Sequence, residues 1–363
     1  MRVALLTYST KPRGGVVHTL ALAESLADLG VEADVWTLGR GGDTAFFRPV
    51  AATVGVRAVP FETRDEEPVG DRIMRSIAVL AEAFQSRRGD YDIIHAQDCI
   101  SANAAMPCIR TIHHLDHFTT PQLAACHERA VVEPAYRICV SAAVAEEVRL
   151  GWGFEPTVIH NGVDAARFAA GARDAAGRAR WRDELGRYVL TLGGIEPRKA
   201  SIDLIEAFAL LRAQVGPDLA DLRLVFGGET LFDYRDYRAA FEARAADLGV
   251  TPEIMGVLAE EEMPALVAEA SALAMVSTRE GFGLADMEAL AAGVPVVARD
   301  LPVLREVYGD TVAFAEDVPG IAAALARQLS APLPPGVGRA LAASTPGSVR
   351  QPRIWRSTNG SSP

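Results

Sequence analysis

Apolar positions along the chain fall into two series of short β-branched runs separated by stretches with helical spacing. In the first half the runs "RVALLTYS", "EADVWTL", "YDIIHA", "CIRTIHH" and "YRICVS" alternate with patterns such as "VVHTLALAESLADLG" and a helix near Asp71 to Arg87. The second half repeats the rhythm with "RYVLTLGG", "SIDLIEAFALLRAQVG", "LRLVFGG", "YRAAFEARAADLG", "PEIMG", "EEMPALVAEAS", "ALAMVST" and "VPVVAR". Short apolar runs bounded by turn formers read as buried strands, and strands alternating with helices build βαβ units and parallel sheets. The expected fold is α/β, with two Rossmann-like domains at residues 1–165 and 183–342. Strand patterning stops in "GVDAARFAAGARDAAGRARW", Gly162 to Trp181, where Gly, Ala and Arg dominate, so residues 166–182 are expected to link the domains.

Ligands of open α/β sheets sit outside the carboxyl ends of the strands, which directs attention to three loops. After the first strand, Gly14 and Gly15 precede a helical pattern, with Lys11 and Arg13 close by. Glycines let backbone N–H groups approach a ligand, and a helix start favours phosphate; a plain turn explains the same letters. In "GGIEPRKAS", Arg198 and Lys199 stand before the helix "IDLIEAFALL", where the macrodipole disfavours cations and an anion such as pyrophosphate would offset them. A solvated basic turn is the alternative. The third loop, "STREGFGLADMEALAAGVPVV", carries Glu280 before a helix starting near Leu284 and Glu288 inside it. Gly281, Phe282, Gly283 and Leu284 lie between them; free N–H groups of Gly283 and Leu284 would face a phosphate, Glu280 sugar hydroxyls and Glu288 a ribose.

Composition narrows the partners. A net charge of −11 argues against general nucleic-acid binding, which needs a basic face, but leaves a small anionic ligand open. Only two of 36 basic residues are lysines, Lys11 and Lys199, which makes the second one's position informative. The four cysteines, Cys99, Cys108, Cys126 and Cys139, form no C-x-x-C pair and read as reduced thiols. No apolar segment approaches the roughly 18–20 residues that span a bilayer, and a cytoplasmic protein is expected, with peripheral membrane contact left open.

Taken in order, "GG" at Gly14 and Gly15, "YDIIHAQD" at Tyr91 to Asp98, "TIHH" at Thr111 to His114, "VIHNGVDAARF" at Val158 to Phe168, "EPRK" at Glu196 to Lys199 and "REGFGLADMEALAAGVPVV" resemble the retaining family-4 glycosyltransferases of GT-B architecture over about residues 1–310. The resemblance implies two Rossmann-like domains facing across a cleft and transfer of a sugar from a nucleotide-sugar donor, of UDP or GDP type, to a small-molecule, glycan or lipid acceptor. It implies that Lys199 steadies the donor diphosphate, Glu280 contacts the donor sugar, Glu288 the ribose, and His113 the sugar near the reacting centre. Neither a metal nor a separate cofactor is needed in that scheme, because cations of the protein stabilise the leaving group. One departure stands out: members commonly carry an arginine five residues before the lysine, and here that position is Gly194. Arg198 is expected to supply the missing charge.

Rival readings attach to other residues. His114, Asp116 and His117 match the H-x-D-H half of a metallohydrolase pattern whose first ligand would fall on Ile112. The letters "DYD" at Asp90 to Asp92 mimic a metal-binding D-x-D but lead into a strand. Glu280 and Glu288 could serve a glycosidase. A sugar-nucleotide-binding protein with little turnover is the alternative that Gly194 and the C-terminus suggest. There, residues 343–363 read as a disordered tail, and a shifted reading frame of its codons permits "TWERAAAAHLA", which resembles the family's terminal helix.

Overall fold

The computed structural model describes residues 1–64, 67–115, 118, 120–215, 219–228 and 234–345. The chain divides into two compact units, the first Met1–Gly162 and the second beginning at Val163. Asp116, His117 and the chain from residue 346, with the shifted-frame reading, lie outside the described residues. Of the expected tail, Ala343 ends the Pro335–Ala343 helix, and the buried Thr345 accepts a hydrogen bond from the Val163 amide at 3.0 Å.

Seven parallel strands form the sheet of the first unit: β1 (Arg2–Leu6), β2 (Glu32–Arg40), β3 (Val54–Phe61), β4 (Ile93–Ala96), β5 (Ile109–Ile112), β6 (Tyr136–Cys139) and β7 (Thr157–Val158), in the order β3-β2-β1-β4-β5-β6-β7. Six more form that of the second: β8 (Tyr188–Leu192), β9 (Arg223–Gly227), β10 (Glu253–Gly256), β11 (Ala272–Met275), β12 (Val296–Arg299) and β13 (Ala313–Ala315), in the order β10-β9-β8-β11-β12-β13 and again parallel throughout. Counted from its own first strand, the second sheet has the doubly wound order 3-2-1-4-5-6, and the first sheet has the same order with one strand added. Helices cover the sheets, which is why central strands read as unbroken apolar runs: all of Ala272–Met275 is buried. In the second unit Leu204, Phe208, Leu224, Phe226, Val297 and Ile321 belong to one core.

Edge strands are where the apolar pattern fails. β3 has only its two ends buried and contains Pro60, which an edge strand tolerates because one side of its backbone needs no ladder partner. β13 has three residues. Residues 166–182, expected as a linker, are instead mostly helical, in Ala165–Gly171 and Ala175–Leu185, and belong to the second unit. Their small residues are packing devices: a Cβ on Gly171 would sit 2.5 Å from Pro264, and one on Gly177 2.9 Å from Ala265. Arg178 and Arg182 both reach Glu269, at 2.9 and 2.7 Å, while Trp181 and Leu185 are buried.

Each doubly wound sheet has a topological switch point, between β1 and β4 and between β8 and β11, where the loops leaving two adjacent strands run in opposite directions and open a crevice. The loop carrying Gly14 and Gly15 leaves β1, that carrying Lys199 leaves β8, and that carrying Glu280 leaves β11.

Candidate functional site

In the second unit the loops after β8 and β11 are tied together. The Thr278 amide donates to the Arg198 carbonyl at 2.8 Å, and the Thr278 hydroxyl donates to the same oxygen at 3.2 Å. Arg198 and Lys199 stand in a 3₁₀ turn, Pro197–Lys199, which left-handed Ala200 (φ 50°) separates from the Ser201–Val215 helix. Lys199 folds back over Gly193 (φ 132°), where a Cβ would come within 3.2 Å of its Cε. Its Nζ reaches Glu280 Oε1 at 2.8 Å, and Arg198 Nη1 reaches the same oxygen at 3.3 Å. Two cations therefore converge on one carboxylate. Burial alone would raise the Glu280 carboxyl; Lys199, then Arg198, outweigh it and hold it at about 2.

Glu280 leads through Gly281 and Phe282 into the Leu284–Ala292 helix, whose N-cap is Gly283 in the left-handed region, φ 86°. No side chain caps this helix start, and while the Asp286 amide donates to the Gly283 carbonyl at 3.1 Å, the N–H groups of Gly283, Leu284 and Ala285 remain available to an anion. Tyr308 holds the loop from behind, its hydroxyl donating to the carbonyls of Phe282 (3.2 Å) and Gly283. With these carbonyls engaged, the peptide planes are fixed and their amides are turned elsewhere.

In the first unit, Gly14 and Gly15 begin the Gly14–Asp28 helix, also without a side-chain cap. A Cβ on Gly15 would lie 3.4 Å from His113. The His113 ring packs edge-on to His18, with centroids 5.1 Å apart, and its Nε2 is hydrogen-bonded to Gln97 Oε1 at 3.1 Å. Burial, then the neighbouring His18, pushes the His113 imidazole well below its ordinary pKa, so it is neutral near pH 7 and suited to hydrogen bonding. His114 is exposed. Among the described residues, no three His, Cys, Asp or Glu side chains are grouped to hold a metal ion. Of the "DYD" acids, Asp90 pairs with Arg87 at 2.5 Å and Asp92 accepts from the Arg2 amide at 2.7 Å.

The sequence matches two family models, Glycosyltransferase Family 4 over residues 12–167 and Glycosyl transferases group 1 over residues 178–332. It is 31% identical over 341 residues to a D-inositol 3-phosphate glycosyltransferase of Salinispora arenicola, covering 82% of this chain and 76% of that one. A protein of the same description from Mycolicibacterium vanbaalenii is also 31% identical, covering 82% and 74%. The chain belongs to the family-4, group 1 glycosyltransferases. Its fold is GT-B: the structure superposes on Anabaena HepE in complex with UDP and glucose (TM-score 0.75, 19% identity, all of both chains). It also superposes on the sucrose-phosphate synthase of Thermosynechococcus elongatus (TM-score 0.77, 18% identity, all of both chains). Among the described residues no helix is long and apolar enough to cross a membrane.

Several residues of this transferase's site carry no signal in the sequence. Tyr308 is one: Tyr308→Phe leaves the Phe282 carbonyl without this donor, whereas the Gly283 carbonyl keeps the Asp286 and Met287 amides at 3.1 and 3.3 Å, so the cost is that of about one unsatisfied buried group, about 1–3 kcal/mol. The variant is expected to melt several degrees lower by calorimetry; an unchanged melting temperature would show that Tyr308 does not set the loop. Asp286 is another, fully buried with neither oxygen hydrogen-bonded. Burial, followed by Glu280, pushes its carboxyl well above the ordinary range.

Burial also raises Glu288, to about 8; Arg167 offsets part of this, while Glu260 and Asp164 add to it. Below the ordinary value of 4.5 both folded and unfolded chains hold this proton. Between 4.5 and about 8 only the folded chain does, so the contribution of Glu288 is lost as pH rises through that window, and Asp286 has the same sign. Glu280 runs the other way, its contribution fading as pH falls from 4.5 towards about 2. Glu288→Gln is therefore expected to flatten the decline of Tm between about pH 5 and pH 8. An unchanged slope by calorimetry would contradict this assignment.

Proposed function

We propose that this transferase moves a sugar from a nucleoside-diphosphate sugar, of UDP type, to its acceptor with retention of anomeric configuration and without a resident metal ion. The observation that carries the reading is the convergence of Lys199 and Arg198 on Glu280 at the switch point of the second sheet, beside an uncapped helix start. A donor diphosphate placed at that helix start would take Lys199 Nζ away from Glu280. The freed carboxylate, still paired with Arg198, then accepts hydrogen bonds from sugar hydroxyls. Charge growing on the departing diphosphate meets an ammonium, a guanidinium and backbone N–H groups, all in place before the bond breaks, which supplies what a divalent cation would otherwise provide. Arg198 fills the position in charge that Gly194 leaves open, since it shares the same carboxylate with Lys199. Glu288, bearing its proton at neutral pH, donates as well as accepts at a ribose. UDP is preferred over GDP because the solved relative HepE is a complex with UDP.

A thermal-shift panel of UDP, GDP, ADP and their glucose and mannose conjugates tests the reading, repeated with Lys199→Ala. Stabilisation by UDP and its conjugates that disappears in the variant supports it; no response to any nucleotide refutes it. The anomeric configuration of the product, read by NMR, decides retention.

A further inference from the structure

All four cysteines are free, as expected, but two of them meet in the first unit. Cys99 begins the Cys99–Ala105 helix that follows β4, and Cys126 lies on the Pro121–Val132 helix that follows β5. Asn103, one turn into the first of these helices, clamps the pair. Its amide nitrogen donates to the carbonyls of Cys99 (2.7 Å) and Cys126 (2.8 Å) and reaches Cys126 Sγ at 3.3 Å. The Cys126 sulfur in turn lies 4.0 Å from the Cys99 carbonyl oxygen. The two thiols are hydrogen-bonded to each other, and the His127 imidazole is hydrogen-bonded to the Cys99 thiol.

Donors therefore converge on one sulfur. The hydrogen bond from Cys99 holds the Cys126 thiol below its ordinary value; burial and Asp98 oppose it, while Arg129 and Arg110 assist. The same bond, followed by burial, pushes Cys99 well up, so Cys99 is the partner that keeps its proton. The other two cysteines behave as core thiols do: burial raises Cys108 to about 11 and Cys139 to about 12. The nucleophile of cysteine chemistry is the thiolate, and reversible oxidation needs a second sulfur beside it to resolve the first product. Cys126 and Cys99 supply both parts. Cys99 is half-buried and Cys126 buried, so an oxidant little larger than water reaches them more readily than a bulky disulfide does.

We propose that Cys99 and Cys126 are a modification site at which a peroxide forms a reversible disulfide. The Cys126 thiolate attacks one peroxide oxygen; the O–O bond breaks, the sulfur is oxidised to a sulfenic acid and the other oxygen departs as hydroxide. The Cys99 sulfur then attacks Cys126 Sγ. An S–S bond replaces the S–O bond, and the Cys99 proton leaves with the hydroxyl as water. Over both steps the two sulfurs give up one electron pair and the peroxide takes it. The new bond joins the helices after β4 and β5, whose strand ends lead into Gln97 and His113, so it ties together the two segments that carry this hydrogen-bonded pair.

Reduced full-length protein treated with hydrogen peroxide, then denatured in iodoacetamide, digested and read by mass spectrometry, tests the assignment. Peptides linked through Cys99 and Cys126 are expected, with dithiothreitol restoring all four thiols. Cys108 and Cys139 are expected to react at least about tenfold more slowly, as buried thiols do. In Cys99→Ser, Cys126 is expected to stop at the sulfenic acid, which dimedone traps; the linkage itself is read on the wild type and does not depend on how a variant folds. Four unreacted thiols after peroxide, a link through Cys108 or Cys139, a disulfide formed only between chains, or irreversible oxidation without a link overturns the proposal. None of these readouts involves a nucleotide, so their failure and failure of the donor site are distinguishable.

Discussion

Lys199→Ala should lower kcat/KM by about 10²–10³-fold, the scale on which enzymes lose rate when one fixed stabiliser of developing charge is removed. The ammonium is well placed for that role, held 2.8 Å from Glu280 with only 18% of its side chain exposed, so its charge acts with little screening. Its loss leaves Glu280 with Arg198 alone at 3.3 Å, and the carboxyl should rise from about 2. Lys199→Arg is not expected to restore the rate. The lysine stem passes over Gly193 at a distance that admits no extra bulk, and a planar fork cannot replace a compact charge there. Initial-rate kinetics with donor varied, alongside circular dichroism to confirm the fold, measure the effect; a loss of less than about threefold would remove Lys199 from the reaction.

Gly283→Ala carries the second large effect. The left-handed backbone at φ 86° costs a non-glycine residue about 1–2 kcal/mol. The new Cβ would also meet Tyr308 Oη at 2.7 Å, Asp286 Oδ2 at 2.8 Å and Leu304 Cδ2 at 3.1 Å, and overpacking of a buried site adds about 1–3 kcal/mol. Relief requires the loop to move away from Tyr308, which turns the helix-start amides out of position. The variant is expected to melt roughly 5–10 °C lower and to lose donor binding together with stability. Near-native melting with intact UDP affinity would mean that the loop is freer than its contacts suggest.

How much of this was legible in the sequence depends on what each residue answers to. Central strands such as β8, β9, β11 and β12 announce themselves because both faces are buried, whereas β3 and β13 lie at sheet edges and answer to solvent as much as to the core. Glu280, Gly283 and Glu288 stand out by their spacing around a helix start, and Lys199 by the rarity of lysine. The pairing of Lys199 and Arg198 with one oxygen of Glu280 was not legible, since it joins loops 81 and 82 residues apart. Tyr308, on the Pro302–Tyr308 helix, meets Gly283 only through packing, and Asp286, in the first turn of the helix that Gly283 caps, does not announce its burial. The Gly162 to Trp181 stretch misleads for a physical reason: glycine and alanine mark both linkers and close helix contacts, and only the neighbours Pro264 and Ala265 distinguish them.

The central claim is that the second unit holds a nucleotide-sugar diphosphate through Lys199. Equilibrium titration of UDP into the wild type and Lys199→Ala tests it most directly. The account predicts saturable binding to the wild type, with affinity in Lys199→Ala reduced by about tenfold or more, as expected when a charge-assisted contact is lost. Equal affinity in the wild type and Lys199→Ala, or no binding to either, would contradict it.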